Sequence, residues 1–221
     1  MQTFATPAAI TATIEIAGGR LHLIATDRAD TTVEVRPADP AKNRDAKAAE
    51  QVEVSCTDAS LHIRTAEPKH QYLGPSGAVE VTVHLPAGSR VQAKSAACEL
   101  RTTGPLGDLA FDGAYRQIHV AEAASLRLTA VDGDVEVGRL TGPAEITTSR
   151  GAIRIAEAHH GRLDLRTQSG DITVGAATGV SAALDAATSH GRITNSLRNT
   201  GTTELDIHAT TPHGDITARA L

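Results

Sequence analysis

Aromatic residues are scarce in this sequence: they make up 2% of its 221 residues, and tryptophan is absent. A core built from such a chain must be filled by small aliphatic side chains instead of large rings. The two cysteines, Cys56 and Cys98, form no CxxC motif and have no zinc-ligand spacing. We therefore expect reduced thiols, and neither a bound metal nor another cofactor.

Clusters of positive charge are missing as well. The formal net charge is -5, and residues 1–86 and 87–221 share it almost evenly. Nucleic acids bind clustered cationic faces, so no nucleic-acid partner is expected. No apolar run reaches the roughly 18 residues needed to span a bilayer, and no charged segment followed by an apolar one opens the chain. These absences predict a cytoplasmic protein without membrane insertion.

The first third of the chain, residues 1–86, is predicted to form an N-terminal antiparallel β portion. Alternating apolar residues over 10–25 surround Gly18-Gly19, a pair typical of a β-hairpin. Helix-forming residues behind a proline predict one short helix over 40–51. Turn residues predict a loop over 66–77.

The rest of the chain, residues 87–221, is a tandem repeat. Five copies place a glycine before an alternating strand, as in SGDITV at residues 169–174, and a second apolar pair lies seven and five residues before that glycine. Two weaker copies have another residue in the glycine position. The position recurs seven times at steps of 17 to 23 residues. Its occupants are Ala96, Arg116, Gly133, Gly151, Gly170, Gly191 and Gly214.

A repeat of this size cannot close a core alone, because its inward side chains need copies above and below them. The pattern therefore predicts an all-β fold, a β-solenoid of about seven coils of 17–23 residues behind the N-terminal portion. We interpret the glycine as a structural corner, because glycine adopts a positive φ without steric penalty. A calcium site is disfavoured, because cations and alanine occupy some of the positions that follow the glycine. A phosphate loop is disfavoured because no helix follows.

The repeats GDVEV, GAIRI, GDITV and HGDITARA, together with VEVTVHLPAGSRVQA at residues 79–93, resemble the bacterial DUF4097 family. Its members are provisionally described as adhesins with a β-strand repeat, and the likeness points to its cytoplasmic actinobacterial members. The resemblance covers essentially the whole chain. It implies a β-solenoid with an antiparallel β portion at its N-terminus, and it brings no catalytic motif.

Two sets of polar residues are candidates for a site. The acids Glu145, Asp164 and Asp185 occupy the same outward position in three successive repeats, where stacked like charges raise a pKa unless nearby arginines neutralise them. His190 and His213 precede the corner glycine in the last two repeats, so they are predicted to be neighbours that could share a metal or a proton. The alternative for both sets is a solvated face.

We therefore expect a non-enzymatic scaffold or interaction module. Its last repeat, HGDITARAL, is predicted to leave an uncapped edge that binds a protein partner or a second copy. The alternative is an enzyme, a small-molecule isomerase or cyclase or a glycan-active protein, that uses an outward-facing groove. A further alternative places an adhesin outside the cell by a leaderless route.

Overall fold

The computed structural model describes residues 1–65, 77–113 and 117–221. The strands of the first half are β1 (Gln2–Ala5), β2 (Thr11–Thr26), β3 (Asp30–Pro37), β4 (Val52–Thr57), β5 (Ser60–Thr65), β6 (Val79–Pro86), β7 (Arg90–Thr103) and β8 (Pro105–Gly113). The others are β9 (Ile118–Asp132), β10 (Val135–Leu140), β11 (Ala144–Arg150), β12 (Ile153–Ala158), β13 (Gly161–Ser169), β14 (Ile172–Ala176), β15 (Ala182–His190), β16 (Ile193–Ser196), β17 (Leu205–His213) and β18 (Ile216–Ala220). A short helix, α1, spans Asn43–Glu50 within the predicted range.

The strands form one folded sheet with two facing layers, because the long strands β2, β7 and β9 bend and contribute to both. Layer A contains, in spatial order, β4, β5, residues 11–16, residues 90–95, β8, residues 125–132, β11, β13, β17 and β15. Layer B contains β1, β3, β6, residues 19–26, residues 98–103, residues 118–123, β10, β12, β14, β18 and β16. Most pairings are parallel, as a β-solenoid requires.

We call one layer A strand, its corner and the following layer B strand a level. The alternating apolar residues of each level point between the layers and form one continuous core. The inward pairs predicted from the sequence are buried in every level except that of β15 and β16. The predicted all-β, solenoid-like fold is thus confirmed. The count of seven coils is not, because β2 adds a level of the same form and Arg116 lies outside the described residues.

The corners depend on glycine, as the sequence predicts. Gly170 has a φ of +150°, and a Cβ added there would lie 2.1 Å from the carbonyl oxygen of Gly151 in the neighbouring level. The same close approach repeats at Gly214 against Gly170 and at Gly191 against Gly214. Any side chain at these positions would separate backbones that must hydrogen-bond.

The hairpin predicted at Gly18-Gly19 is wrong. These glycines form the corner of a single bent strand, β2, which pairs in parallel with β7 through both layers. A Cβ at Gly19 would lie 1.9 Å from the carbonyl oxygen of Val79, so the glycine permits close contact between levels. Sequence alone does not separate the two cases, because a hairpin and a corner both need a residue of positive φ between alternating strands.

Antiparallel pairing within the described residues is limited to the N-terminal end of the stack, between β1 and β3, β3 and β6, and β4 and β5. The pairing of β2 with β7 crosses residue 86 without a break in either layer, so the division into domains 1–86 and 87–221 stays a prediction. The loop predicted over 66–77 lies outside the described residues except for Gly77.

The last two repeats are stacked in reverse order. The strands β17 and β18, which we call the last repeat, lie between β13–β14 on one side and β15–β16 on the other. The strands β15 and β16, which we call the end level, therefore close the stack. The prediction that the C-terminal coil is uncapped is wrong, because the last repeat is covered on both sides.

Candidate interaction site

The acidic column of layer A is only partly as the sequence predicts. Glu145 lies opposite Asp164 on adjacent strands. Asp164, however, lies opposite His208, and His208 lies opposite Asp185. The last repeat thus places His208 between Asp164 and Asp185. The prediction that the three acids lie on successive strands is therefore wrong for Asp185.

Arginines neutralise the two adjacent acids. The Arg127 Nε lies 3.3 Å from Glu145 Oε2, and Arg162 donates two hydrogen bonds to Asp164, at 2.9 and 3.0 Å. Hydrogen bonding from Arg162, with its positive charge, holds the pKa of Asp164 below its usual value against the opposing effect of partial burial. The carboxylate therefore stays charged, and the raised pKa expected of stacked acids does not arise at Asp164. Arg162 precedes its acid by two residues, a spacing that the sequence analysis overlooked.

A second ion pair extends this row. Asp108 accepts hydrogen bonds from the Ser125 hydroxyl at 2.7 Å and from Arg90 Nε at 2.8 Å, and both lower the pKa of Asp108. A general acid at neutral pH needs a raised pKa. The acids Asp108 and Asp164 have the opposite shift, so this face resembles a ladder of ion pairs more than a proton-transfer centre.

A shallow groove runs across the same face of layer A. It has a volume of about 510 Å³ and is flanked by the ion pairs just described. A second groove of about 310 Å³ continues it and shares Gln92, Ala110 and Arg127 with the first. Ala110 lies opposite Gln92 on one adjacent strand and Arg127 on the other. Its small side chain leaves a depression between these two longer side chains. This is the outward groove that an enzymatic function would have to use.

The histidine pair lies where the sequence places it. The rings of His190 and His213 are stacked, with centroids 4.9 Å apart and an interplanar angle of 17°. Ser169 is the next residue in this row, opposite His213. The described parts of the chain contain no group of three or more His, Cys, Asp or Glu residues arranged to hold a metal ion.

A second histidine links the same two levels and was not a sequence candidate. His208 of the last repeat lies between two carboxylates, with Nδ1 3.3 Å from Asp185 Oδ2 and Nε2 2.9 Å from Asp206 Oδ2. Asp185 belongs to the end level, so this contact joins the two levels across layer A. The reversed stacking order places His208 between Asp164 and Asp185 instead of beyond Asp185.

Side chains at the corners bind the levels to each other. Three threonine hydroxyls each donate to the carbonyl oxygen of a corner glycine in the adjacent level: Thr167 to Gly151 at 3.1 Å, and Thr211 to Gly170 and Thr188 to Gly214 at 3.0 Å. Three aspartates each accept a 2.8 Å bond from a backbone N–H of the adjacent level: Asp134 from Ala152, Asp171 from Asp215, and Asp215 from Arg192. The glycine and aspartate of the SGD motif therefore accept hydrogen bonds that join one level to the next.

The end level has no strand on its outer side among the described residues. Its inward residues Leu184 and Ala186 are half-exposed, whereas the matching Ile207 and Ala209 of the last repeat are buried. Ile193 is 44% exposed. One backbone group on the outer edge of β15 is hydrogen-bonded: the Ala182 N–H donates to the Arg198 carbonyl oxygen at 2.8 Å. The end level thus presents apolar side chains together with strand edges.

Stacked strand–corner–strand levels of mostly parallel strands define the class as a β-solenoid-like repeat protein. The chain belongs to the DUF4097 family, described as Toastrack, whose model matches residues 12–220. No curated protein matches the chain.

Solved structures resemble this chain at low sequence identity. A Bacteroides fragilis protein, provisionally described as an adhesin, is 14% identical, with 98% of this chain and 95% of that chain covered and a TM-score of 0.54. A Parabacteroides distasonis protein with the same description is 13% identical over 98% and 95% of the two chains, with a TM-score of 0.45. No helix of the described residues is long and apolar enough to cross a bilayer.

Proposed function

We propose that the protein is a non-enzymatic interaction module that self-associates through its end level. The observation that carries the proposal is the contrast between the buried core residues of the last repeat and the matching residues of the end level, where Leu184 and Ala186 are only half-buried and Ile193 is exposed. Apolar surface that a stack would normally bury is left in contact with water there, which favours a covering partner.

The strand edge at this end is also suited to pairing. β15 is nine residues long and contains neither lysine nor proline, the residues that commonly protect edge strands. Its acid Asp185 is already partnered by His208. A second copy offers the same edge, and a two-fold axis would place two β15 strands antiparallel, with their exposed apolar residues against each other. A second copy is therefore the partner that we propose.

Light scattering at micromolar concentration tests this proposal. We expect a dimer for the unmodified chain and a monomer for Ile193→Lys, because a lysine would put a charge into the dimer contact. The matched control is Val131→Lys, which changes another exposed apolar residue, 40% exposed and distant from the end level. A strictly monomeric unmodified chain, or a dimer lost only in Val131→Lys, would refute the proposal.

The enzymatic alternative has less support, because hydrogen bonds from serine and arginine lower the pKa of the groove acids Asp108 and Asp164. A Glu145→Ala/Asp164→Ala variant separates the two functions, and Asp185 is left intact because it belongs to the end level. We expect this variant to associate like the unmodified chain. Loss of a glycan-directed or isomerase activity in the same variant, with association unchanged, would instead favour the enzyme.

The cellular location belongs to the same proposal. A module that acts inside the cell would be found with cytoplasmic markers on cell fractionation. An adhesive role, as in the description of the Bacteroides fragilis relative, would also be an interaction role, but it would place the chain with the surface fraction. Fractionation therefore decides which partners can meet the end level.

A further inference from the structure

The stacking order of the last two repeats has an unusual property. The chain completes β13 and β14, skips one level, builds the end level, and then returns to fill the skipped level with the last repeat. The space between β13–β14 and the end level, which we call the slot, is therefore occupied by a segment that follows both of its walls in sequence. One other strand of the described chain is placed out of order: in layer B, β6 lies between β3 and residues 19–26, both of which precede it in sequence.

The slot fits the last repeat closely on both sides. In layer B, Thr217 lies opposite Thr173 below and Thr194 above. In layer A, Ile207 lies opposite Leu163 below and Leu184 above. The inward residues of the last repeat are 0–1% exposed at Leu205, Ile207, Ala209, Ile216 and Ala218. Removing this segment from the slot would open strand edges on both walls.

The last repeat is joined to the rest of the described chain only through residues 197–204. These residues form no strand and are exposed apart from Leu197. Most of their contacts with the body are with the start of the end level: the N–H of Thr200 bonds to the Ser181 hydroxyl at 3.0 Å, the N–H of Glu204 to the Ser181 carbonyl at 2.8 Å, and the N–H of Ala182 to the Arg198 carbonyl at 2.8 Å. The last connecting residue, Glu204, also accepts a 2.9 Å bond from the N–H of Gly161 in β13. Eight extended residues reach about 26 Å, several times the roughly 4.8 Å between levels.

We propose that the last repeat is exchangeable, so that two copies of this chain can each place residues 205–220 in the slot of the other. An exchanged dimer keeps every contact of the slot, because each wall meets an identical segment. Only residues 197–204 change conformation, and the cost of such an exchange is low when the connecting segment is exposed and polar. The partner is thus a second copy, bound through the slot and separate from the end-level contact.

Disulfide trapping in mixed chains tests the exchange. One full-length chain carries Thr173→Cys and the other carries Thr217→Cys, both with Cys56→Ser to remove the more accessible natural thiol. Paired residues of neighbouring strands lie within the Cα separation that a disulfide spans. The two chains are unfolded together, refolded at high protein concentration and oxidised. We expect a covalent heterodimer, because Thr217 of one copy then lies beside Thr173 of the other.

The control pair combines Thr217→Cys with Arg154→Cys. Arg154 lies beside Thr173 in the same column but one level further from Thr217, beyond the reach of a disulfide. A single chain carrying both Thr173→Cys and Thr217→Cys should form the bond internally, which shows that the site permits it. We expect the heterodimer to exceed the control pair several-fold.

Failure of the heterodimer to exceed the control, while the doubly substituted chain oxidises normally, would overturn the exchange. The result is independent of the end-level dimer, because β18 is covered on both sides and an end-to-end contact cannot bring Thr217 beside Thr173 of a partner. Repeating the trapping with Ile193→Lys in both chains separates the two contacts. The crosslink should persist in that background even when light scattering finds no end-level dimer.

Discussion

The two ends of the stack are built differently, although both terminate the same core. At the N-terminal end, antiparallel strands and α1 cover the last parallel strands, and Leu61, Ile63 and Val33 are almost fully buried. The buried carboxylate of Asp45 in α1 accepts a 3.0 Å hydrogen bond from the Ala78 N–H and so attaches the helix to the start of β6. At the other end, Ile193 of the end level is exposed to solvent.

This difference shows how a parallel stack can be ended. Reversing the strand direction buries the inward residues of β5 beneath β4, whose own Val52 and Val54 stay half-buried, whereas another parallel level only moves the exposed column outward. A sealed end contributes to stability, and an open end stays available for contacts. The following predictions test this contrast, and they run from the largest expected effect to the smallest.

A corner glycine inside the stack should be the least tolerant position. Gly170→Val puts a branched side chain at a positive φ and against the Gly151 carbonyl, and we expect a loss of about 4 kcal/mol or more in the free energy of unfolding. Asp171→Ala removes one hydrogen bond between levels and should cost about 1 kcal/mol. Gly191→Val should cost less than Gly170→Val, because the end level has space to shift outward. Denaturant unfolding measures all three, and a larger loss for Asp171→Ala would restore a ligand-binding interpretation of the turn.

The same apolar residue should matter more at the sealed end than at the open one. Ile63→Ala leaves a cavity in a covered column and should lower the free energy of unfolding by about 2–5 kcal/mol. Ile193→Ala removes a partly solvated side chain, and we expect a loss below about 1 kcal/mol in the monomer. Thermal melts at low protein concentration compare the two variants. Equal losses would mean that the ends are not as different as their burial indicates.

The ion pair of Asp164 should give the smallest effect, visible only in acid. Its pKa is lowered in the folded chain, so the bond to Arg162 stabilises the fold above the ordinary aspartate pKa of about 4 and is lost as the pH falls through the folded value. The stability gap between the unmodified chain and Asp164→Asn should therefore shrink from pH 7 to pH 2.5, and it should stay within about 1 kcal/mol because the pair is partly solvated. Arg162→Gln should remove the same pH dependence. A gap that widens in acid would contradict this assignment.

The repeat could be predicted from sequence because each level obeys a local rule. An inward pair, a glycine corner and a second inward pair recur at near-constant spacing, and neighbouring repeats are usually neighbours in space. The short helix and the adjacency of His190 and His213 follow from the same local reasoning. The positions of Leu163, Leu165 and Ile172 in the core could thus be read directly from their alternation.

The order of the last two levels could not be predicted in this way, because it depends on whether β15 or β17 packs against β13. One local signal was available. The second inward position of layer B is apolar in other levels, as at Val174 and Ala218, but it is Asn195 in the end level. A polar residue is tolerated there because that side is open, and Asn195 is indeed exposed. The candidate site was affected most, because the reversed order places His208 between Asp164 and Asp185 instead of beyond Asp185 at the end of the column.

The reversed order also bears on how the chain is made. Synthesis proceeds from the N-terminus, so residues 182–196 are made before residues 205–220. Until then the end level has no native neighbour to rest on, and β13 and β14 keep an uncovered edge. The slot is therefore filled by a segment that is made after both of its walls. A chain truncated before residue 205 would leave this edge unpaired and accessible to chaperones and proteases.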